Sequence, residues 1–258
     1  MFGTATFDRM PESFLTDPAV WDDFVGQVWQ AVLSPLGLRA DGTLIEIAPG
    51  SAPKIGHALA RAGFHGTLHV VEASAPALEV LAAHYRRLLP RATLHLHASR
   101  LSACMDMLPQ GADAVLGNHI IDDMLLGAST QAQNTFDWAT QYSDAVTPQT
   151  HAAFVQLQRH QEDTTAQVST ELAQAFAHLA PRHVVLSQYP SSTLQAAGLD
   201  ALNACAINVL NRLQEHLRSA YAVGDCSTAL NTLPHYHNAH IGHNVLNPRY
   251  WLSCTKKN

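Results

Sequence analysis

Charged residues are few in this sequence and basic ones fewest: 15 Lys and Arg stand against 21 Asp and Glu, the charged share is 14%, and the formal net charge is −6. That balance leaves no basic footprint for a nucleic-acid backbone and points to small molecules or proteins as partners. Disorder is excluded too, since hydrophobic residues at 47% describe a folded, soluble chain. Cysteine is limited to Cys104, Cys205, Cys226 and Cys254, widely spaced and without a C-x-x-C pair. Their spacing announces neither a zinc nor a redox site and fits a reducing cytoplasm. No apolar run is long enough to span a membrane, and Asp8, Arg9, Pro11 and Glu12 interrupt the stretch Met1 to Leu15 that a signal peptide would need. Internal repeats and low-complexity tails are missing. So are the full G-x-G-x-x-G of dinucleotide folds and the G-x-x-x-x-G-K-[ST] of P-loops, which leaves pyrophosphate cradling poorly supported.

What is present is a β-α-β unit. Thr43-Leu-Ile-Glu-Ile47 is an apolar run with β-branched residues, and it ends in the small turn residues Ala48-Pro49-Gly50-Ser51-Ala52. A helical pattern, Ile55, Leu59 and Ala62, follows at once, and a second apolar run, Leu68-His-Val-Val-Glu72, ends in a carboxylate. In such a unit the tight turn admits a ligand to the backbone at the carboxyl end of the first strand, and the acid ending the second strand can hold a ribose diol. Glu46, inside the first strand, has no use in a phosphate-binding loop and favours a cationic ligand.

On Glu46, the turn and Glu72 the chain resembles the class I S-adenosylmethionine-dependent methyltransferase superfamily. Its first motif is an acidic residue before a Gly-rich turn, and its second is an acidic residue ending the next strand. Where the family has several glycines, this chain has Ala48, Gly50 and Ala52, with Pro49 and Pro53 stiffening the loop. The resemblance implies S-adenosyl-L-methionine as cofactor, held by Glu46, Ala48, Pro49, Gly50, Ser51, Glu72 and Ala73. It also implies adenine contacts from Ser99 and Arg100, after the third strand, and a cofactor contact from Asn118, after the fourth.

The remaining pattern predicts an α/β fold: a doubly wound, mostly parallel Rossmann-like sheet with helices on both faces, an N-terminal helical segment and a helical insertion. Asp17-Pro18 opens a helix with Val20, Trp21, Phe24, Val28 and Val32 at helical spacing, ending near Pro35. Leu78, Leu81, Tyr85 and Leu88 mark a crossover helix stopped by Pro90. Strands are expected at 92–97, 113–118 and 183–187, with a closing strand at 247–253. Residues 131–146 read as helical and polar, a second helix carries Val168, Leu172, Phe176 and Leu179 on one face, and 194–221 reads as one long helix. The expected division is an N-terminal helical cap, 1–40, on a cofactor-binding domain, 41–258, with a lid insertion at 128–181.

Ligands of doubly wound sheets lie outside the carboxyl ends of the strands, so Asn118, His119, Asp122 and Asp123 are the first candidates for chemistry. The amine-methylating members of the family carry Asp or Asn, then Pro-Pro and an aromatic here. This chain keeps only the Asn. Asn118 is expected to accept a hydrogen bond from an amine, and His119 to remove a proton near neutral pH. Asp122 joins them as a catalytic candidate, or caps a helix together with Asp123. Tyr189, after the fifth strand, faces the same rim and can cover a sulfonium, or is a buried tyrosine with its hydroxyl satisfied. His235, His237, His240 and His243 have H-x-H and H-x-x-H spacings but no companion carboxylate or cysteine, so a loop or surface reading is preferred to metal.

The chemistry so implied is transfer to a small-molecule acceptor, most simply of the methyl group. Attack on the aminobutyrate methylene with release of methylthioadenosine, as in nicotianamine and azetidine-2-carboxylate synthases of this fold, stays open. So do a non-catalytic binding protein and, less well supported by the glycines, a nicotinamide-dependent oxidoreductase.

Overall fold

The central strand, β1, is Thr43–Ile47, and the chain around it is seen in a computed structural model that describes residues 17–133, 155, 157, 159–190, 200–233 and 245–257. Before it, helix α1 (Pro18–Leu33) starts where Asp17 Oδ1 accepts the Ala19 N–H at 2.9 Å and Pro18 takes the first turn. After β1 come α2 (Lys54–Arg61), β2 (Thr67–Glu72), α3 (Ala75–Leu88), β3 (Thr93–Ala98) and the single turn α4 (Leu101–Cys104). The second half has β4 (Ala114–Asn118), α5 (Ile121–Gln133), α6 (Gln161–Leu179), β5 (His183–Ser187), α7 (Asp200–Leu217), β6 (Tyr221–Gly224), α8 (Ser227–Leu230) and β7 (Trp251–Lys256).

The strands form a seven-stranded sheet in the order β3-β2-β1-β4-β5-β7-β6. β3 to β5 are mutually parallel, while β7 lies antiparallel between β5 and β6. This is the doubly wound Rossmann-like order with an antiparallel end. The order reverses between β1 and β4, the switch point where such sheets bind ligands.

Strand alternation sends side chains to two cores. Leu44, Leu68, Val70 and Leu116 face α1, α2 and α3, whereas Ile45, Ile47, Val71 and Leu186 face α5, α6 and α7. The helices after β1 and β4 therefore leave on opposite faces, and a crevice opens between their first turns. α1 is part of the first core: Val25, Val28 and Trp29 are fully buried, and Trp29 meets Trp251 edge-on at 5.0 Å between ring centroids.

Three expectations change. α6, inside the expected lid, is a core helix whose Val168, Leu172, Phe176 and Leu179 are fully buried against α5 and α7, so apolar burial fixes it to the body. The predicted helix at 194–221 is helical from Asp200 to Leu217, and its last residue instead begins β6; residues 191–199 lie outside the described ones. The closing strand runs from Trp251, because Asn247 caps a short 3-10 turn at Pro248–Tyr250 that delays it. Most of the polar segment 131–146 lies outside the described residues.

Candidate functional site

The turn after β1 is tight in the way the sequence suggests. Ala48 takes φ 46° and Gly50 φ 64°, the left-handed region that glycine occupies freely and alanine does not. Ala48 keeps its place through its N–H, which donates to Val71 O at 2.7 Å. The turn then folds over the end of β2, where the Gly50 N–H donates to Glu72 Oε2 and the Ser74 N–H to Glu72 Oε1, each at 2.8 Å. Glu72 is 8% exposed, and its carboxylate is held from both sides. Each oxygen retains a further acceptor direction, so two ribose hydroxyls can be met by an already oriented group.

Glu72 lines a cavity of about 390 Å³, within the size range of small-molecule sites. Its floor is Ile47, Ala48, Val71 and Ala73, and one wall is Ser99, Arg100, Leu101 and Met105. Its roof comes from α5, through Asp123 and Met124, and from α6, through Gln167, Glu171 and Gln174. The ionisable lining is three carboxylates, Glu72, Asp123 and Glu171, and one guanidinium, Arg100. Such a lining suits a cation better than a pyrophosphate. Ala48, Glu72, Ala73, Ser99 and Arg100, all expected at the cofactor, are thus brought together. Pro49, Gly50 and Ser51 do not line the cavity, and Gly50 acts on it through Glu72.

Glu46 requires a correction. It lies on the opposite face of β1 from Ile47, 1% exposed, and takes a hydrogen bond at 2.6 Å from the Tyr85 hydroxyl of α3. Gly56 makes room for that tyrosine, since a Cβ there would lie 2.3 Å from its ring. Burial, only partly opposed by the Tyr85 hydrogen bond and aided by Glu72, pushes the Glu46 carboxyl up to about 8. Turned from the cavity, and with burial disfavouring its charged form, it offers no carboxylate to a ligand there. Its side of the strand follows from the period of two.

Asn118 also departs from expectation. Its Oδ1 accepts the Trp29 indole N–H at 2.8 Å and the Ser187 hydroxyl at 3.1 Å. An indole N–H can only donate, so the amide orientation is fixed, the oxygen is occupied, and the NH2 is what Asn118 offers a ligand. It cannot serve as the expected acceptor for an amine.

His119 follows with φ 56°, a conformation uncommon for a non-glycine residue and one that recurs at functional sites. Its Nδ1 lies 3.4 Å from Asp122 Oδ2, and its ring stands 4.5 Å from that of Tyr189. Nε2 is buried with no hydrogen-bond partner among the described residues. Asp122 sits in the first turn of α5 rather than at its cap. Gln188 takes the capping role, its Oε1 accepting the Ile121 N–H at 2.8 Å while its Nε2 donates to Asp122 Oδ1 at 3.2 Å. Tyr189 is 5% exposed and meets Trp21 edge-on at 6.4 Å.

Sequence reasoning missed Lys54, at the head of α2. Burial works to lower its pKa, but the surrounding Tyr189, Asp22, Asp123 and Asp122 outweigh that and hold its ammonium above the ordinary value. Asp22 is itself pushed up by burial, against the pull of Lys54, His57 and His84. The roof residues were missed as well. Gln167, Glu171 and Gln174 are spaced i, i+4, i+7, and a polar helical stripe reads as a solvent face.

Among the described residues no group of three or more His, Cys, Asp or Glu is arranged to hold a metal ion, and the histidines at 235–243 lie outside those residues. No described helix is long and apolar enough to cross a membrane, and all four cysteines are buried free thiols.

No family model and no curated protein matches the sequence. Among solved structures, the chain is similar to SMU.1697c, a putative methyltransferase from Streptococcus mutans in complex with SAH. Identity is 12% and the TM-score 0.43 over 96% of this chain and 100% of that one. It is similar to a cyclopropane-fatty-acyl-phospholipid synthase-like protein from Lactobacillus casei at 14% identity and TM-score 0.49, over 95% and 94% of the two chains. NSun6 from Pyrococcus horikoshii, solved with SFG, aligns at 13% identity and TM-score 0.49 over 90% of this chain. The chain spans 52% of NSun6 and 42% of WbdD. These are likenesses of architecture.

Proposed function

We propose that the chain is an S-adenosylmethionine-dependent transferase that methylates a small molecule. The observation that carries this reading is the Glu72 carboxylate, held by two backbone N–H groups with one face toward a cavity beside the β1 turn. The residues present fit the cofactor. Glu72 accepts from the ribose hydroxyls, Ile47, Val71, Leu101, Met105 and Met124 give apolar contact for a purine, and the excess of carboxylates suits a sulfonium. When bound, the cofactor supplies a methyl group on a cationic sulfur, open to in-line attack.

The chain's own contribution lies across the switch point. Asp122 orients the His119 imidazole, leaving Nε2 to accept a proton from an acceptor placed beside it. Tyr189 and Trp21 exclude water and present aromatic rings to positive charge. The few basic residues favour a small acceptor over a nucleic acid.

The occupied oxygen of Asn118 favours a second reading over amine methylation at that residue: attack on the aminobutyrate methylene, releasing methylthioadenosine. The test is to incubate the pure protein with S-adenosylmethionine, alone and with candidate acceptors, and identify the thioether by mass spectrometry. Adenosylhomocysteine appearing only with an acceptor supports methyl transfer. Methylthioadenosine appearing without one overturns it in favour of the second reading.

A further inference from the structure

The cavity leaves one cluster of titratable side chains unused. His69 on β2 and His95 and His97 on β3 share one face at the sheet's edge, because the parallel register sets His69 opposite His95 and Val71 opposite His97, and alternation turns all four to one side. Strands favour β-branched and aromatic residues, yet three adjoining positions of this pair carry imidazoles. His95 is exposed, His69 and His97 are half-buried, and none of the three lines the cavity. The His69 ring stacks on that of His95, with centroids 4.6 Å and planes 14° apart, and lies within 12° of parallel to that of His97, at 5.4 Å. Between His69 and His97 two ring nitrogens face each other: His69 Nδ1 stands 3.2 Å from His97 Nε2.

A shared proton is the simplest occupant of that gap, one ring donating and the other accepting. The gap also has the width of a metal chelate. Two nitrogens each about 2.0 to 2.1 Å from one ion, at an angle between square and tetrahedral, stand about 2.8 to 3.4 Å apart, and the 3.2 Å here falls inside that interval. No proton has to leave the pair, since the donating ring can move its hydrogen to its other nitrogen, and both lone pairs then meet the ion. Burial, and after it the nearness of His95 and His97, pushes His69 down to about 4, and burial with His95 lowers His97 too, so both rings are neutral imidazoles. The two sit on hydrogen-bonded neighbouring strands, and the stack with His95 holds the His69 ring, so little freedom is lost when an ion binds. A hydrogen bond between half-exposed rings, by contrast, gains little over the water it replaces.

We infer that His69 and His97 chelate a divalent transition ion of the zinc, nickel and copper class, through His69 Nδ1 and His97 Nε2. Imidazole nitrogen suits these ions, whereas magnesium and calcium take oxygen ligands. Among the described residues no group of three or more His, Cys, Asp or Glu is arranged to hold a metal ion, so water takes the remaining positions, and the site is an exchangeable one rather than a closed structural one. It goes beyond the cofactor reading and does not depend on it. His69 precedes Glu72 by three residues and His97 precedes Ser99 by two, so the ion clips together the two strands that run on into the cavity.

Calorimetry with Zn²⁺ on chelator-treated protein tests the site. His235, His237, His240 and His243 are removed as competitors by changing all four to Asn, and every titration is made in that background. The expected result is a Zn²⁺ site that survives the fourfold change and is weakened at least about tenfold by His69→Asn and by His97→Asn alike, since losing a ligand costs no less than losing a ligand's own hydrogen-bond partner. His97→Phe, which keeps a planar ring and removes both nitrogens, stands in where the Asn variant does not fold. Zn²⁺ should also raise the melting temperature of the background protein and not that of the His97 variant. Zn²⁺ affinity unchanged in both single variants would put the ion elsewhere and overturn the inference. So would loss of all binding on changing the four histidines, or no binding at millimolar Zn²⁺, which would leave the imidazole pair a hydrogen bond and nothing more.

Discussion

Trp29 and Asn118, 89 residues apart in sequence, are joined by a 2.8 Å hydrogen bond from the indole N–H to the amide oxygen. The bond ties α1 to the end of β4 and decides which atoms of Asn118 a ligand can meet. Trp29→Phe keeps most of the packing and removes the donor. It should cost about 1 to 2 kcal/mol in urea denaturation, since Asn118 keeps Ser187 as one partner. A variant as stable as the wild type would mean that the bond does not hold α1 in place.

Ala48 stands at φ 46°, where a side chain is strained. Ala48→Gly relieves that strain and should raise stability by about 1 kcal/mol, less whatever glycine adds to unfolded-state freedom. Thermal unfolding checks it. A lower melting temperature would show that the turn prefers alanine for contacts that the backbone angle does not reveal.

The buried Glu46 gives a pH signature. Its carboxyl, at about 8 folded against 4.5 for an ordinary glutamate, binds its proton more tightly in the native state. The stability it contributes is therefore fully present below pH 4.5, falls as the unfolded chain ionises, and is lost through pH 8. Glu46→Gln, neutral throughout, should flatten that decline, which is on the order of a few kcal/mol. Parallel stability–pH profiles for the two proteins would contradict the raised value.

His119 is assigned the proton-accepting role through Nε2, oriented by Asp122. His119→Asn should lower the transfer rate by about 10²- to 10⁴-fold while leaving the affinity for S-adenosylhomocysteine near that of the wild type. Loss of binding together with rate would move His119 from the chemistry to the cofactor pocket.

How far the sequence could be read depended on how local each feature was. The turn after β1 and the acid ending β2 lie within one short β-α-β unit, so spacing alone placed Ala48 and Glu72 at one site, and the alternating strands and helices gave the doubly wound sheet. Glu46 was misread because its meaning depends on which face of β1 it occupies and on Tyr85, 39 residues away. Gln188 could not be seen as the cap of α5, because a side chain just past the end of β5, 67 residues away, supplies what Asp122 and Asp123 were expected to supply. β6 was hidden because Tyr221 continues the apolar spacing of Leu213 and Leu217, and only pairing with β7 makes it a strand. Lys54 reads as an ordinary surface lysine until α1, α5 and Tyr189 are assembled around it.

The central claim is that Glu72 holds the ribose of S-adenosylmethionine, and calorimetry of S-adenosylhomocysteine against wild type and Glu72→Ala tests it most directly. The account predicts binding to the wild type and an affinity at least about tenfold weaker in the folded variant, from the loss of hydrogen bonds to a charged group worth about 1.5 to 3 kcal/mol. Equal affinity in the two proteins, or binding of NAD in place of S-adenosylhomocysteine, would contradict it.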